Sequence, residues 1–117
     1  MKILITGGSG FIGCNTAQRF LQLGDSVTVL DDLSRPGSKL NLEWLRGQGQ
    51  FEFIQGDVRD TAFINETIKQ RQPDVCIHLA AQVAVTTSVQ EPRHDFEINA
   101  FEFYIKLWLS HNNLYVL

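Results

Sequence analysis

Lys2-Ile3-Leu4-Ile5-Thr6-Gly7-Gly8-Ser9-Gly10-Phe11-Ile12-Gly13 is a short apolar run that breaks at Gly7 into the spacing Gly-x-x-Gly-x-x-Gly. The run has the length of a buried strand, and residues 11–23 after it carry Gly13, Ala17, Phe20 and Leu21 on one helical face. The pattern predicts strand, tight turn, helix. In that setting Gly7 permits the sharp turn, and Gly10 lets backbone amides approach a pyrophosphate at the positive end of the helix. Gly13 lets the helix pack close on the strand. A tight turn with no ligand could use the same glycines; the strand before them and the helix after them point to a dinucleotide.

Working outward, Gly24 stands where a left-handed residue commonly ends a helix, and Ser26-Val27-Thr28-Val29-Leu30 is β-branched enough for a second strand ending at Asp31 and Asp32. Residues 33–39 read as loop, 40–46 as a short helix and 51–55 as a third strand. After Gly56 and Asp57, either Asp60 or Thr61 can cap a helix reaching about Arg71, with Phe63, Ile64, Thr67 and Ile68 inward. Pro73 and Asp74 turn the chain into a fourth strand at 75–78. A loop at 80–92 and a helix at about 93–110 follow, and 114–117 is compatible with the start of a fifth strand without requiring it.

Strands alternating with helices, and buried on both faces, predict an α/β fold: a Rossmann-like, doubly wound parallel sheet of four or five strands. In such sheets ligands bind outside the carboxyl ends of the strands where the winding reverses, here between the first and fourth strands. Gly7 to Gly13, Asp31, Asp57 and Leu79 to Gln82 all fall at that edge.

Asp31 lies 18 residues beyond Gly13, near the ~20 expected of a carboxylate that accepts hydrogen bonds from an adenosine ribose and repels a 2′-phosphate. Asp32 is either a second contact or the acid of a local turn. Arg35 could bind a 2′-phosphate or stack over adenine. Asp57 could take the adenine amino group with Val58 against the ring, or form an Asx turn. His78 ends a buried strand and reads as a satisfied core imidazole; with His94 and His111 it lacks metal-ligand spacing, so no metal is expected. Cys14 and Cys76 read as reduced core thiols.

With 117 residues, 44% hydrophobic and 20% charged, the chain suits one domain or part of a larger one. Its net charge of −3 and lack of a basic block argue against nucleic acid as a partner. No apolar run approaches the ~20 residues that span a bilayer, and the glycines come too soon for a signal peptide, so no membrane partner and a cytoplasmic location are expected.

Taken together, the turn at residues 6–13, Asp31-Asp32-Leu33-Ser34-Arg35, Gly56-Asp57-Val58-Arg59-Asp60, His78-Leu79-Ala80-Ala81, Ser88-Val89-Gln90-Glu91-Pro92 and Asn99 resemble the extended short-chain dehydrogenase/reductase family. Its members include NAD-dependent nucleotide-sugar epimerases and dehydratases. Asn41-Leu42-Glu43-Trp44-Leu45, Phe51-Glu52-Phe53, the segment from Gln82 to Ser88 and Asp95-Phe96-Glu97-Ile98-Asn99 look like the family's CDP-sugar epimerases. The resemblance implies NAD as cofactor, with Gly7, Gly10, Phe11, Ile12 and Gly13 at the pyrophosphate, Asp31, Asp32 and Arg35 at the adenosine ribose, and Asp57 and Val58 at adenine. Leu79, Ala80, Ala81 and Gln82 would line the nicotinamide side, and Asn99 would support the cofactor ribose. Thr86, Thr87 and Ser88 would reach a nucleotide-sugar substrate, a CDP-sugar by the subgroup likeness.

The family's catalytic Tyr-x-x-x-Lys is missing: Tyr104 is followed four residues later by Trp108, and Tyr115 has no residue four later. No catalytic residue is therefore assigned in this chain. The likeness ends near residue 101, so residues 1–117 are expected to be the N-terminal part of an NAD-binding Rossmann domain, truncated or frame-shifted, completed by a C-terminal half or by self-association. A stand-alone dinucleotide-binding module and an inactive gene remnant are the alternatives.

Overall fold

The computed structural model of the chain describes residues 1–80, Arg93 and the strand Tyr115–Val116. In order come β1 (Lys2–Thr6), α1 (Phe11–Gln22), β2 (Ser26–Asp31), α2 (Ser38–Arg46), β3 (Glu52–Gln55), α3 (Thr61–Arg71), β4 (Val75–His78) and β5 (Tyr115–Val116). The strands form one parallel sheet in the order β3-β2-β1-β4-β5. The chain thus winds outward from β1 through β2 to β3, then crosses back to β4, and the winding reverses between β1 and β4 as the sequence predicts. β1 is the central strand, pairing Lys2↔Ser26 through Thr6↔Leu30 on one side and Ile3↔Val75 through Thr6↔His78 on the other.

The period-two alternation of side chains divides the apolar residues of this sheet between two cores. Ile3, Ile5, Val27, Val29 and Ile77 meet Ala17 of α1 and Leu45 of α2 on one face. Leu4, Leu30 and Cys76 meet Val58 and then Ile64 and Ile68 of α3 on the other. Both faces are covered, which is why β1 reads as an unbroken apolar run and not as an alternating one.

The ends of the elements follow local chemistry. α1 stops before Gly24, whose φ of +85° only glycine adopts without strain. Of the two candidate caps for α3 it is Asp60 that acts, its Oδ1 accepting the Phe63 N–H at 3.1 Å. α2 starts two residues earlier than its sequence pattern suggests, because the Ser38 N–H and hydroxyl both donate to the Arg35 carbonyl, at 3.2 and 2.7 Å, and carry the turn forward. Of the four- and five-strand alternatives the sheet takes the second, with Tyr115 opposite Val75 and Val116 opposite Cys76. The helix expected at 93–110 lies, apart from the helical Arg93, outside the described residues. No helix among the described residues is long and apolar enough to cross a membrane.

Two joints hold this arrangement together. A Cβ on Gly13 would stand 2.2 Å from the Gly7 carbonyl oxygen and 2.6 Å from Gly8 Cα, so α1 begins in direct backbone contact with the turn that follows β1. At the opposite end of the sheet the Met1 ammonium donates to Asp25 Oδ1 at 2.8 Å, and Asp74 Oδ2 accepts the Lys2 N–H at 2.7 Å.

Gly13→Ala forces backbone apart and is expected to cost about 1–3 kcal/mol in urea denaturation. Gly49→Ala, where the new methyl would meet Leu21 at an ordinary 3.6 Å, should be near neutral. Equal midpoints for the two variants would contradict this account of the β1–α1 joint. The Met1 amine gives a pH signature. The hydrogen bond and the charge of Asp25 raise its pKa above 8.0. The stabilisation is complete below the amine's unfolded pKa and fades as pH rises through the folded one. Acetylating the amine should therefore lower Tm at neutral pH, and the gap between acetylated and free chains should close in alkali.

Candidate functional site

The carboxyl ends of β1, β2 and β4 bring four segments to one edge. Gly7 leaves β1 with φ +69°, and its N–H donates to the Leu30 carbonyl at 2.8 Å. A Cβ there would lie 2.6 Å from Ala80 N and 2.7 Å from Leu79 C, so the turn is pressed against the chain leaving β4. The Leu79 N–H donates to Thr6 O at 2.9 Å and keeps that chain in place. Gly10 N–H closes the turn on Gly7 O at 3.1 Å, and α1 begins at once.

That helix start is electrostatically bare. Gly10 supplies no side-chain cap, and no acidic residue stands in the first turn, so the positive end of the helix dipole faces the edge uncompensated. Phe11 and Ile12, the first helical residues, are 79% and 66% exposed. Large apolar side chains held in the open beside a positive helix end suit a ligand with both an anionic group and a flat apolar one.

Asp31 stands at the end of β2, where its Oδ2 accepts the Ser9 N–H at 3.0 Å and its Oδ1 accepts the Leu33 N–H at 2.9 Å. A carboxylate offers about four acceptor positions, so two remain after these bonds, on a group whose orientation is already set. Leu33 pays for this with a positive φ of +60°. Asp32 takes the local-turn alternative: its Oδ1 accepts the Ser34 N–H at 3.0 Å and the Ser34 hydroxyl at 2.7 Å. Arg35 is exposed on the loop between Asp31 and α2.

Asp57 forms the Asx turn, accepting the Arg59 N–H at 2.9 Å, and is gripped by the Arg59 guanidinium, with Nε at 3.0 Å and Nη2 at 2.5 Å. Both side chains remain more than a third exposed. Val58 is 7% exposed and packs in the α3 core. His78 Nδ1 lies 2.6 Å from Thr6 Oγ1, the satisfied imidazole expected of a strand end. Cys14 and Cys76 are free and buried. Burial raises the Cys14 thiol and pushes Cys76 up to about 12, so neither is a thiolate nucleophile at neutral pH.

The edge therefore gathers Gly7, Gly10, Phe11, Ile12, Gly13, Asp31, Leu79 and Ala80, with Asp57 on the neighbouring strand end. Ala81, Gln82, Thr86, Thr87, Ser88 and Asn99 lie outside the described residues. The sequence reading assigned no site role to Asn41, whose Nδ2 donates to the Ser9 carbonyl at 2.9 Å. A contact between residues 32 apart follows no local spacing rule. Nor did that reading foresee the Arg59 grip on Asp57, although Asp-x-Arg is a short enough interval to suggest it.

A family model described as GDP-mannose 4,6 dehydratase matches residues 4–103. Over 99 residues the chain is 50% identical to the CDP-paratose 2-epimerase of Salmonella typhi, a match covering 85% of this chain and 29% of that protein. The UDP-Glc/GlcNAc 4-epimerase of Campylobacter jejuni superposes with a TM-score of 0.84 at 32% identity, over 96% of this chain and 34% of that one. The UDP-glucose 4-epimerase of Thermus thermophilus, solved in complex with NAD, gives 0.74 at 36% identity, over 86% and 30%. The chain spans less than a third of the length of the Salmonella relative. Glycine turn, strand order and a family match from residue 4 to residue 103 agree: the chain belongs to the GDP-mannose 4,6-dehydratase family of extended short-chain dehydrogenases/reductases.

Proposed function

We propose that residues 1–117 are the N-terminal part of the NAD-binding Rossmann domain of a nucleotide-sugar epimerase, with a CDP-sugar as substrate. The observation that carries this reading is the pairing, at one sheet edge, of a bare helix start behind Gly7 and Gly10 with a pre-oriented Asp31 carboxylate. Those residues fit NAD. Gly10 at the start of α1 brings no side chain, so the amides there suit a pyrophosphate. The two unused acceptor positions of Asp31 suit the adenosine 2′- and 3′-hydroxyls. The choice of CDP rests on the 50% identity to the Salmonella epimerase.

Gly7, Gly10, Phe11, Ile12 and Gly13 would hold the pyrophosphate, Asp31 with Asp32 and Arg35 the ribose, and Asp57 and Val58 the adenine side. Leu79, Ala80, Ala81 and Gln82 would line the nicotinamide, Asn99 the ribose beside it, and Thr86, Thr87 and Ser88 the sugar. NAD, when bound, supplies a hydride acceptor that takes hydrogen from a sugar carbon and returns it to the opposite face. The work of this chain is to bind and orient. It carries no Tyr-x-x-x-Lys to move the sugar hydroxyl proton, so a C-terminal part or partner chain would supply that step. Two free, buried thiols suit the reducing cytoplasm. The missing pair is also the one observation favouring a second reading, a dinucleotide-binding module with no catalysis of its own.

Calorimetric titration with NAD and NADP tests the assignment. Asp31 accepts from the 2′-hydroxyl and repels a 2′-phosphate, so NAD should bind more tightly. Asp31→Ala should weaken NAD about ten- to a hundredfold, the equivalent of about 1.5–3 kcal/mol for a charge-assisted hydrogen bond. Losing the tie to Ser9 affects both cofactors alike, whereas losing the repulsion helps NADP alone, so the NAD-to-NADP ratio isolates the ribose contact. A ratio unchanged by the substitution would remove Asp31 from the ribose. Mass spectrometry separates the two functional readings: a longer native species supports the epimerase, and a native 117-residue chain with bound dinucleotide supports the module.

A further inference from the structure

Ser9 sits in the middle of the glycine turn and is fully buried. Its backbone is held from both sides by side chains distant in sequence: Asp31 Oδ2 accepts its N–H at 3.0 Å, and Asn41 Nδ2 donates to its carbonyl at 2.9 Å. Its own hydroxyl is buried without a hydrogen-bond partner, so nothing in the Ser9 side chain fixes the turn. Asp31 and Asn41 are themselves joined through a short, constrained stretch. Asp31 Oδ1 binds the Leu33 N–H, Leu33 takes a φ of +60°, and the Arg35 carbonyl accepts from Ser38 at the start of α2. Asn41 follows in the first turns of α2, its N–H bonded to Gly37 O at 3.0 Å, with Leu42 and Leu45 anchoring the helix in the core. The result is a closed ring of contacts from the turn through the Asp31 loop to α2 and back to the turn.

We propose that Asn41 is a positioning residue for the anion-binding turn, acting through the Ser9 carbonyl to hold the peptides on either side of Ser9 in the orientation that presents the Phe11 and Ile12 amides to a pyrophosphate. The inference rests on the dinucleotide reading above and deepens it. Asp31 fixes the N–H side of Ser9, and the Ser9–Gly10 peptide is tied at both ends, its N–H to Gly7 O at 3.1 Å and its carbonyl to Asn41. Without Asn41 only the first tie remains, and the tilt of that peptide is less well defined beside a glycine, the most permissive residue. α2 thereby becomes part of the cofactor site, although none of its residues needs to touch the ligand.

The test compares ADP, which carries the pyrophosphate, with adenosine, which does not, titrated calorimetrically into the 117-residue chain. Asn41→Leu should weaken ADP about two- to tenfold, the size of one neutral hydrogen bond, and leave adenosine unchanged. Gln18→Leu is the matched control: it removes a side-chain amide bond of the same 2.9 Å length, to Gln48, remote from the turn, and should alter neither ligand. Asn41→Asp preserves shape and adds a pH readout. As an anion the new side chain repels the Ser9 carbonyl, and once protonated it can donate to it, so ADP affinity relative to the unsubstituted chain should recover as pH falls through the carboxyl range. This variant also carries the test should Asn41→Leu fail to fold. ADP affinity unchanged in Asn41→Leu, ADP and adenosine weakened in parallel, or a flat pH profile for Asn41→Asp would each overturn the positioning role while leaving the dinucleotide reading intact. Failure of the unsubstituted chain to bind ADP would overturn both.

Discussion

At residue 13 there is room for a hydrogen atom and not for a methyl group. The start of α1 leans on the backbone of the turn behind β1, 2.2 Å from where a Cβ would stand to the Gly7 carbonyl, and much of the described structure is arranged around that contact. It sets how closely α1 approaches the central strand, and so lets Ala17 reach Ile3 and Ile5 in the core on that face. It also sets the direction of the helix axis, so that the first amides of α1 face the edge where the winding reverses. Gly7 repeats the constraint one layer away: its own missing side chain lets the turn meet Leu79 and Ala80 as they leave β4.

The electrostatics of the edge are built on this steric foundation. An uncapped helix start leaves partial positive charge, and at the end of β2 Asp31 holds a carboxylate whose two oxygens accept the backbone N–H groups of Ser9 and Leu33. Asp57 is held differently: its carboxylate is neutralised by Arg59 in a partly exposed pair, where solvent screens the interaction and makes it worth little to stability. Asp31 is thus oriented by backbone donors, and Asp57 by its own turn and by Arg59.

Much of the architecture was legible in the residues alone. The apolar run of β1, the β-branched run of β2, Gly24 after α1 and an acid ahead of α3 gave element types correctly because each reflects a local rule: side-chain period, backbone freedom or capping. Boundaries moved by one or two residues, as at Ser38, where a side-chain hydroxyl extended a turn that hydrophobic pattern cannot sense. Tyr115 and Val116 count as a strand through their pairing with β4, a partner the local sequence does not name. For the candidate site, the distance of Asp31 from Gly13 singles it out along the chain, whereas the bonds of Asp32 to Ser34 and of Asp57 to Arg59 belong to side-chain geometry that spacing does not specify.

By itself the sequence determined the fold class, the turn that carries the site and the family, because all three depend on residue types at short, regular intervals. The absence of Tyr-x-x-x-Lys is likewise a property of the string of residues. Only the tertiary structure decided which side chains hold the turn. Asn41 and Asp31 meet on the two sides of Ser9 because α2 packs on α1 and β2 lies beside β1. Contacts of that kind are set by how elements are laid against one another, and no spacing along the chain encodes them.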